Sequence, residues 1–317
     1  MRVLVTGASG YIGSILSKNL SEKGYFVKAI ISKGKVQGLY QSKYIKYFEV
    51  NKSDSIKDWK TIFTDIDCVV HCAGLNQSPR GILASKKLDI LRKNNVSLSS
   101  NIINYSAESG VKRFIFISSI KVNGEKTEKN VFFNNKQPPN PKDSYAQSKC
   151  EAEINLKKIA SRKNIELVII RPPMVYGSLE SNPIKKLIKI IGYGFPIPLK
   201  LVDNLRSYIF IDNLIDFIGV CISHPKAINQ TFLISDGRDI STPDLIKLIA
   251  LLQEKKVKLI PFNLKVLKLL ASFIGLKSTF DKLVTSNRID TSHAFNELEW
   301  RPKVKIEEGI RKMLGLG

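Results

Sequence analysis

Residues 1–20 read MRVLVTGASGYIGSILSKNL, and the reading of this stretch decides the fold. Val3 to Val5 form an apolar run of strand length, while Ile12, Ile15, Leu16 and Leu20 recur at helical spacing. Gly7, Gly10 and Gly13 therefore stand at a strand-to-helix turn. Glycine tolerates positive φ and lets other backbone come close, and a helix N-terminus offers N–H groups to an anion. A pyrophosphate fits such a turn. The spacing G-x-x-G-x-x-G is one residue longer in its first gap than the dinucleotide fingerprint. A tight turn that binds nothing is the competing reading.

Outward from this turn the apolar runs YFVKAII, KYFEV, DCVVHCAG, KRFIFISS and IELVIIRPP read as five further strands. Helical patterns separate them, over 82–110 and 145–162 among others. Near-continuous apolar strands alternating with helices predict a doubly wound α/β fold: a parallel sheet covered on both faces, with ligands at the carboxyl ends of the strands. We expect residues 1–172 to form this Rossmann domain, with 206–236 returning to it. Residues 173–317 are expected to form mainly a smaller mixed substrate-binding cap. Within the cap NLKVLKLLASFIGLK (263–277) is a basic amphipathic helix, expected to bury one face in the core rather than lie on a membrane.

The 317 residues carry 50 Lys and Arg against 28 Asp and Glu, a formal charge of +22. That balance raises nucleic acid, anionic lipid or a phosphorylated substrate as partners. The lysines are dispersed along helices without interleaved stacking aromatics, so a solvated surface and no nucleic-acid partner are expected. Cys68, Cys72, Cys150 and Cys221 include no C-x-x-C pair, which points to reduced thiols, no metal and a cytoplasmic protein. We expect no secretory leader and no stable membrane insertion, since no apolar run reaches bilayer length.

Tyr145 and Lys149 are four residues apart in PPNPKDSYAQSKCEAE, on one face of a helix that Asp143 or Ser144 would cap. A phenol is a poor base at neutral pH, but a lysine cation and a positively charged nicotinamide nearby stabilise phenolate. Ser119, ending the fifth strand in FISSIKVNG, offers a hydroxyl to the same substrate oxygen. These three residues are the expected catalytic set.

With these motifs in place the sequence resembles the extended short-chain dehydrogenase/reductase family, in its nucleotide-sugar branch of UDP-glucose 4-epimerase-like epimerases, dehydratases and 4-keto reductases. The resemblance rests on TGASGYIG, HCAG, NNV (94–96), SSIKVNG, YAQSK, RPPMVYG and RSYIFIDNL, in family order across most of the chain. It implies that Gly7, Gly10 and Gly13, with Ser9, Tyr11 and Ile12 between and beside them, hold a cofactor pyrophosphate. It implies that Ala73 and Gly74 line the cofactor's path, that Pro172 lies beside the nicotinamide, and that Lys149 also bonds the nicotinamide ribose. Tyr145 would be the acid/base. Asn95 matches the family's helix asparagine, with a cofactor contact or a structural role equally open. Arg206 would contact the substrate diphosphate, and Lys121, Asn182 and Arg288 are further substrate candidates. A guanidinium suits a diphosphate because it bonds two oxygens at once.

Two positions depart from the family. Ser32 and Lys33 stand where an acid after the second strand would bond ribose hydroxyls, and Asn51 replaces the aspartate after the third strand. With no acid there and with Lys33 or Lys35 near, NADP(H) is slightly favoured over NAD(H). The resemblance implies a hydride transfer at C4 of a UDP-hexose or UDP-N-acetylhexosamine, in a homodimer serving cell-surface polysaccharide precursor synthesis. A 4-epimerase is the leading expectation. The alternatives are an NADPH-dependent 4-keto reductase making a UDP-6-deoxy-N-acetylhexosamine, and a non-catalytic nucleotide- or nucleic-acid-binding protein.

Overall fold

The computed structural model describes residues 1–35, 38–50, 56–76, 84–177 and 184–316. Its first half alternates strand and helix: β1 (Arg2–Thr6), α1 (Tyr11–Glu22), β2 (Phe26–Ser32), β3 (Ile45–Val50), α2 (Ile56–Phe63), β4 (Cys68–His71), α3 (Ala84–Leu91), α4 (Leu98–Glu108), β5 (Arg113–Ile117), α5 (Ser144–Lys163) and β6 (Glu166–Arg171). A π-helical turn, Arg92–Ser97, joins α3 to α4. The second half holds β7 (Met174–Tyr176), α6 (Ile184–Gly192), β8 (Tyr208–Phe210), α7 (Ile211–Ser223), β9 (Thr231–Leu233), α8 (Thr242–Leu252), α9 (Leu264–Phe273), α10 (Lys277–Val284), α11 (Ser292–Leu298) and α12 (Ile306–Met313).

Seven strands pair in parallel in the order β3-β2-β1-β4-β5-β6-β9, as a Rossmann-type sheet does. Every residue of β4 and β5 is buried, because helices cover both faces. Alternation along each strand divides the core. Leu4, Val69, Phe114, Phe116 and Ile169 face α2, α4 and α5. Val3, Val5, Val70, Ile115 and Ile170 face the other way, into a cluster that runs without a break through α7 and β8 to Ile310 and Met313 of α12. The C-terminal elements are thus packed on the sheet through shared apolar contacts. β9 hydrogen-bonds to β6, whereas β8 pairs with β7 in a separate two-stranded ribbon.

Register sets where the site falls. Thr6 pairs with His71, His71 with Phe116 and Ile117 with Ile170, so the ends of β1, β4, β5 and β6 lie side by side. The loops that follow them carry Gly7, Ala73, Ser119 and Pro172 to one edge. The strand order reverses beside β1, which opens the crevice where such sheets bind ligands.

The cap helix α9 sets one face against the core, as expected, and carries a second apolar face outward. α9 turns Leu264, Leu267 and Ala271 inward, but only Ala271 is fully buried. A second apolar face, including Leu269 and Phe273, is exposed. Helical periodicity marked the residues as apolar without revealing that neighbours cover only one side of the helix.

Candidate active site

The glycine turn is a cradle held open by the absence of side chains. Gly7 has φ of +68°, and a Cβ there would stand 2.8 Å from the Ala73 backbone across the crevice. A Cβ on Gly13 would stand 2.3 Å from the Gly7 carbonyl oxygen. The Gly10 N–H closes the turn on that carbonyl at 2.9 Å. Gly10 caps α1 without any side chain bonded to the first-turn N–H groups, and Ser9 is exposed beside them while Tyr11 and Ile12 are half-buried. This cradle fits the pyrophosphate of a dinucleotide: donors point outward and nothing fills the space.

Asp143 caps α5 by accepting from the Ala146 N–H at 2.7 Å, which sets Tyr145 in the first turn and Lys149 one turn on. The Ser119 hydroxyl lies beside the Tyr145 phenol. Ser119 is itself anchored where the strand ends, its oxygen accepting from the Lys121 N–H at 3.3 Å. The next residue, Ile120, donates to the Pro172 carbonyl at 3.0 Å, so the loops after β5 and β6 are tied together. Lys149 reaches under the site and donates to the Ile117 carbonyl at 2.8 Å, its ammonium 4.4 Å from the Phe116 ring centre. Gly74 sits against this lysine, and a Cβ there would meet the Asn95 Oδ1 at 2.9 Å.

Burial dominates the acid–base properties. It pushes the Tyr145 phenol up to about 12, with the Asp143 charge adding to the rise and the neighbouring Ser119 hydroxyl opposing it. It lowers Lys149 to about 8, against the pull of Cys72 and Glu153. At neutral pH the pair is therefore phenol and ammonium. Burial also favours a neutral Asp143, but the Lys121 ammonium and the Ala146 N–H outweigh it and hold the carboxyl below its ordinary value. His71 is buried and lowered to about 3 by burial, with Lys149 adding to the effect. It is neutral, and its Nδ1 lies 2.7 Å from the Thr6 hydroxyl, linking β4 to β1.

The other expected residues divide. Asn95 is bonded within the protein: its Oδ1 accepts from the Leu75 N–H at 2.8 Å, and its Nδ2 donates to the Leu75 carbonyl and to Ser148. These bonds fasten the loop after β4 to α5, and the second lone pair of Oδ1 stays open to a cofactor. Lys121 is at the site, paired with Asp143 and 5.9 Å from the Tyr145 ring centre. Arg206 donates to the Thr285 carbonyl at 2.9 Å, and Arg288 to Asp239 at 2.7 Å and the Lys129 carbonyl at 2.9 Å. The two arginines lie on adjoining segments, since Arg206 bridges Asn287, but any anion would share them with these partners. Ser32 and Lys33 are exposed after β2. Asn51 and Asn182 lie outside the described residues.

Two features escaped the sequence reading. Behind Ser119, Glu153 accepts from Arg171 at 2.9 Å and from Ser118, and Arg171 also bonds Asn123 at 2.8 Å, all four residues buried. The i, i+4, i+8 stripe of Tyr145, Lys149 and Glu153 was its visible signal. The second is Glu49, whose carboxylate accepts from the Gly34 N–H at 2.8 Å just past β2. Strand register, pairing Ile31 with Glu49, brings an acid to the place where the local sequence has none.

A doubly wound sheet with a glycine cradle at its point of reversal, and a serine, tyrosine and lysine beside it, defines a dinucleotide-dependent enzyme of the extended short-chain dehydrogenase/reductase kind. Residues 3–235 match the model of the NAD dependent epimerase/dehydratase family, and the chain belongs to that family. It is 35% identical over 314 residues to the UDP-glucose 4-epimerase of Vibrio cholerae, covering 98% of this chain and 93% of that one. It is 24% identical over 324 residues to the dTDP-4-dehydro-6-deoxyglucose reductase of Escherichia coli, covering 98% and 96%. Among solved structures, the UDP-glucuronic acid 4-epimerase of Bacillus cereus in complex with NAD superposes with a TM-score of 0.78 at 21% identity, covering 100% of this chain and 98% of that one. No described helix is long and apolar enough to cross a membrane.

Proposed function

We propose that this enzyme is a 4-epimerase of a UDP-hexose or UDP-N-acetylhexosamine, used in making precursors of cell-surface polysaccharide. The observation that carries the reading is Ser119 and Tyr145 side by side with a buried Lys149, next to the glycine cradle. Tyr145 takes the proton of the C4 hydroxyl as phenolate and gives it back as phenol. Ser119 bonds the same sugar oxygen and holds it in line. A phenol near 12 needs positive charge close by to ionise at neutral pH, and the Lys149 ammonium supplies part of it. Arg206 would hold the diphosphate while the sugar turns its other face. A nicotinamide cofactor held by the glycine cradle would supply a reversible hydride acceptor for C4, which leaves no net redox change.

The Vibrio cholerae relative favours epimerisation, being more similar than the Escherichia coli reductase over the same span. For the cofactor we favour NAD(H). The slight expectation of NADP(H) assumed no acid beside the end of β2, and Glu49 disfavours a 2′-phosphate there. Incubation with UDP-glucose and UDP-N-acetylglucosamine, without added reductant, should yield the 4-epimers by NMR and none with Tyr145→Phe. Stoichiometric consumption of NADPH on a UDP-4-keto sugar, without epimer formation, would establish the reductase instead. Fluorescence titration should give tighter NADH than NADPH binding, with Glu49→Gln narrowing the gap.

A further inference from the structure

The α9–α10 hairpin carries apolar side chains into solvent. Val266, Leu269, Leu270, Phe273, Ile274 and Leu276 are all exposed, Phe273 at 79% and Ile274 at 69%. At 100° per residue, Val266, Leu269, Leu270 and Phe273 lie on the face of α9 away from Leu264, Leu267 and Ala271, which seat the helix on the protein. The outward face is contiguous and apolar. Scattered exposed leucines are ordinary, but six such residues within eleven positions are the mark of a surface that meets an apolar phase or partner.

The charge around it selects the occupant. From Glu254 to Lys282 the chain has seven lysines and two acids. One of those acids, Asp281, is already paired with Lys268 at 2.9 Å. Among the described residues no ion pair engages Lys265 or Lys277, which flank the apolar face. A second copy of the chain docking face to face would bring two such lysine clusters together, and like charges oppose that pairing. A surface of acidic phospholipid offers both an acyl boundary for the leucines and phenylalanine and phosphates for the lysines.

We propose that the α9–α10 hairpin docks the enzyme on the surface of an anionic lipid bilayer. Leu269, Leu270, Phe273 and Ile274 enter the headgroup–acyl boundary, and Lys265 and Lys277 reach the headgroup phosphates along it. The contact is peripheral. It also has a fixed relation to the cleft, because the carbonyl of Thr285, which ends α10, accepts from Arg206 at 2.9 Å and from Asn204 at 3.1 Å. Docking therefore holds the Arg206 side of the cleft one helix away from the lipid surface.

The test is sedimentation of the full chain with vesicles of phosphatidylcholine alone and of equal parts phosphatidylcholine and phosphatidylglycerol. Partition onto the anionic vesicles should exceed that onto neutral ones by about tenfold or more, and should weaken as salt is raised. Leu269→Glu/Phe273→Glu should lose about tenfold or more of that partition, with melting temperature, oligomeric state and turnover unchanged, because both side chains already face water. Lys265→Gln/Lys277→Gln should reduce the preference for anionic over neutral vesicles. Equal partition onto both vesicle types, or no loss in the glutamate variant, overturns the proposal. So does a dimer of the wild type that the glutamate variant abolishes without any vesicle binding, which would assign the face to a second copy.

Discussion

Replacing Lys149 with methionine should make the enzyme inactive and more stable, and the gain should depend on pH in a way that reports the buried ammonium. Burial brings Lys149 from its ordinary 10.5 to about 8. At about 1.36 kcal/mol per pKa unit, keeping the proton in the folded state at pH 7 costs about 3 kcal/mol. Methionine retains the apolar stem beside Phe116 but forfeits the 2.8 Å bond from the ammonium to the Ile117 carbonyl, a loss of about 2 kcal/mol for a charged donor. The net expectation is a gain of about 1 kcal/mol at pH 7, the difference of those two estimates. Between about 8 and 10.5 the unfolded lysine keeps a proton that the folded one has released, so wild-type stability rises with pH through that window. The variant has no such contribution, and its advantage should shrink to about zero near pH 9 and reverse above it. Urea unfolding of both proteins without cofactor, at several values from pH 7 to 9.5, measures this difference. A variant less stable than wild type at pH 7, or a difference that stays flat over the range, refutes the burial argument.

Tyr145→Phe should lower turnover by about 10²- to 10⁴-fold with an unchanged melting temperature, since it removes one hydroxyl from the site; near-normal turnover in a folded variant contradicts the acid–base assignment. Gly13→Ala should abolish NADH binding by fluorescence titration, because its Cβ would meet the Gly7 carbonyl at 2.3 Å and force the cradle apart. Arg171→Met should cost about 3–5 kcal/mol in urea unfolding by leaving the buried Glu153 carboxylate uncompensated, and Arg171→Met/Glu153→Leu should recover much of it. Arg206→Ala should raise KM for the UDP-sugar far more than it changes NADH affinity, whereas equal effects on both would reduce the arginine to a brace for the Thr285 carbonyl.

What the sequence by itself determined is local in origin. The strand-glycine-helix signature, the alternation of buried strands with helices, and the four-residue spacing of Tyr145 and Lys149 depend on backbone geometry within a few residues, which residue type and periodicity report directly. The doubly wound sheet and the placing of the serine, tyrosine and lysine at one edge follow from them. Partners chosen across the fold were decided by tertiary structure alone. Asn95 meets Leu75 and Ser148, Arg288 meets Asp239, and Glu153 meets Arg171, each through side chains brought together by packing and register rather than by neighbourhood in the chain. Glu49 reaches the end of β2 only because β3 pairs with it, so the acid missing after Ile31 is supplied from another strand. For α9 the periodicity identified apolar positions, but whether a face is covered depends on what packs against it. Only the assembled cap leaves Phe273 and its neighbours facing water, because α10 and the core take up the inner side of that helix and nothing among the described residues covers the outer one.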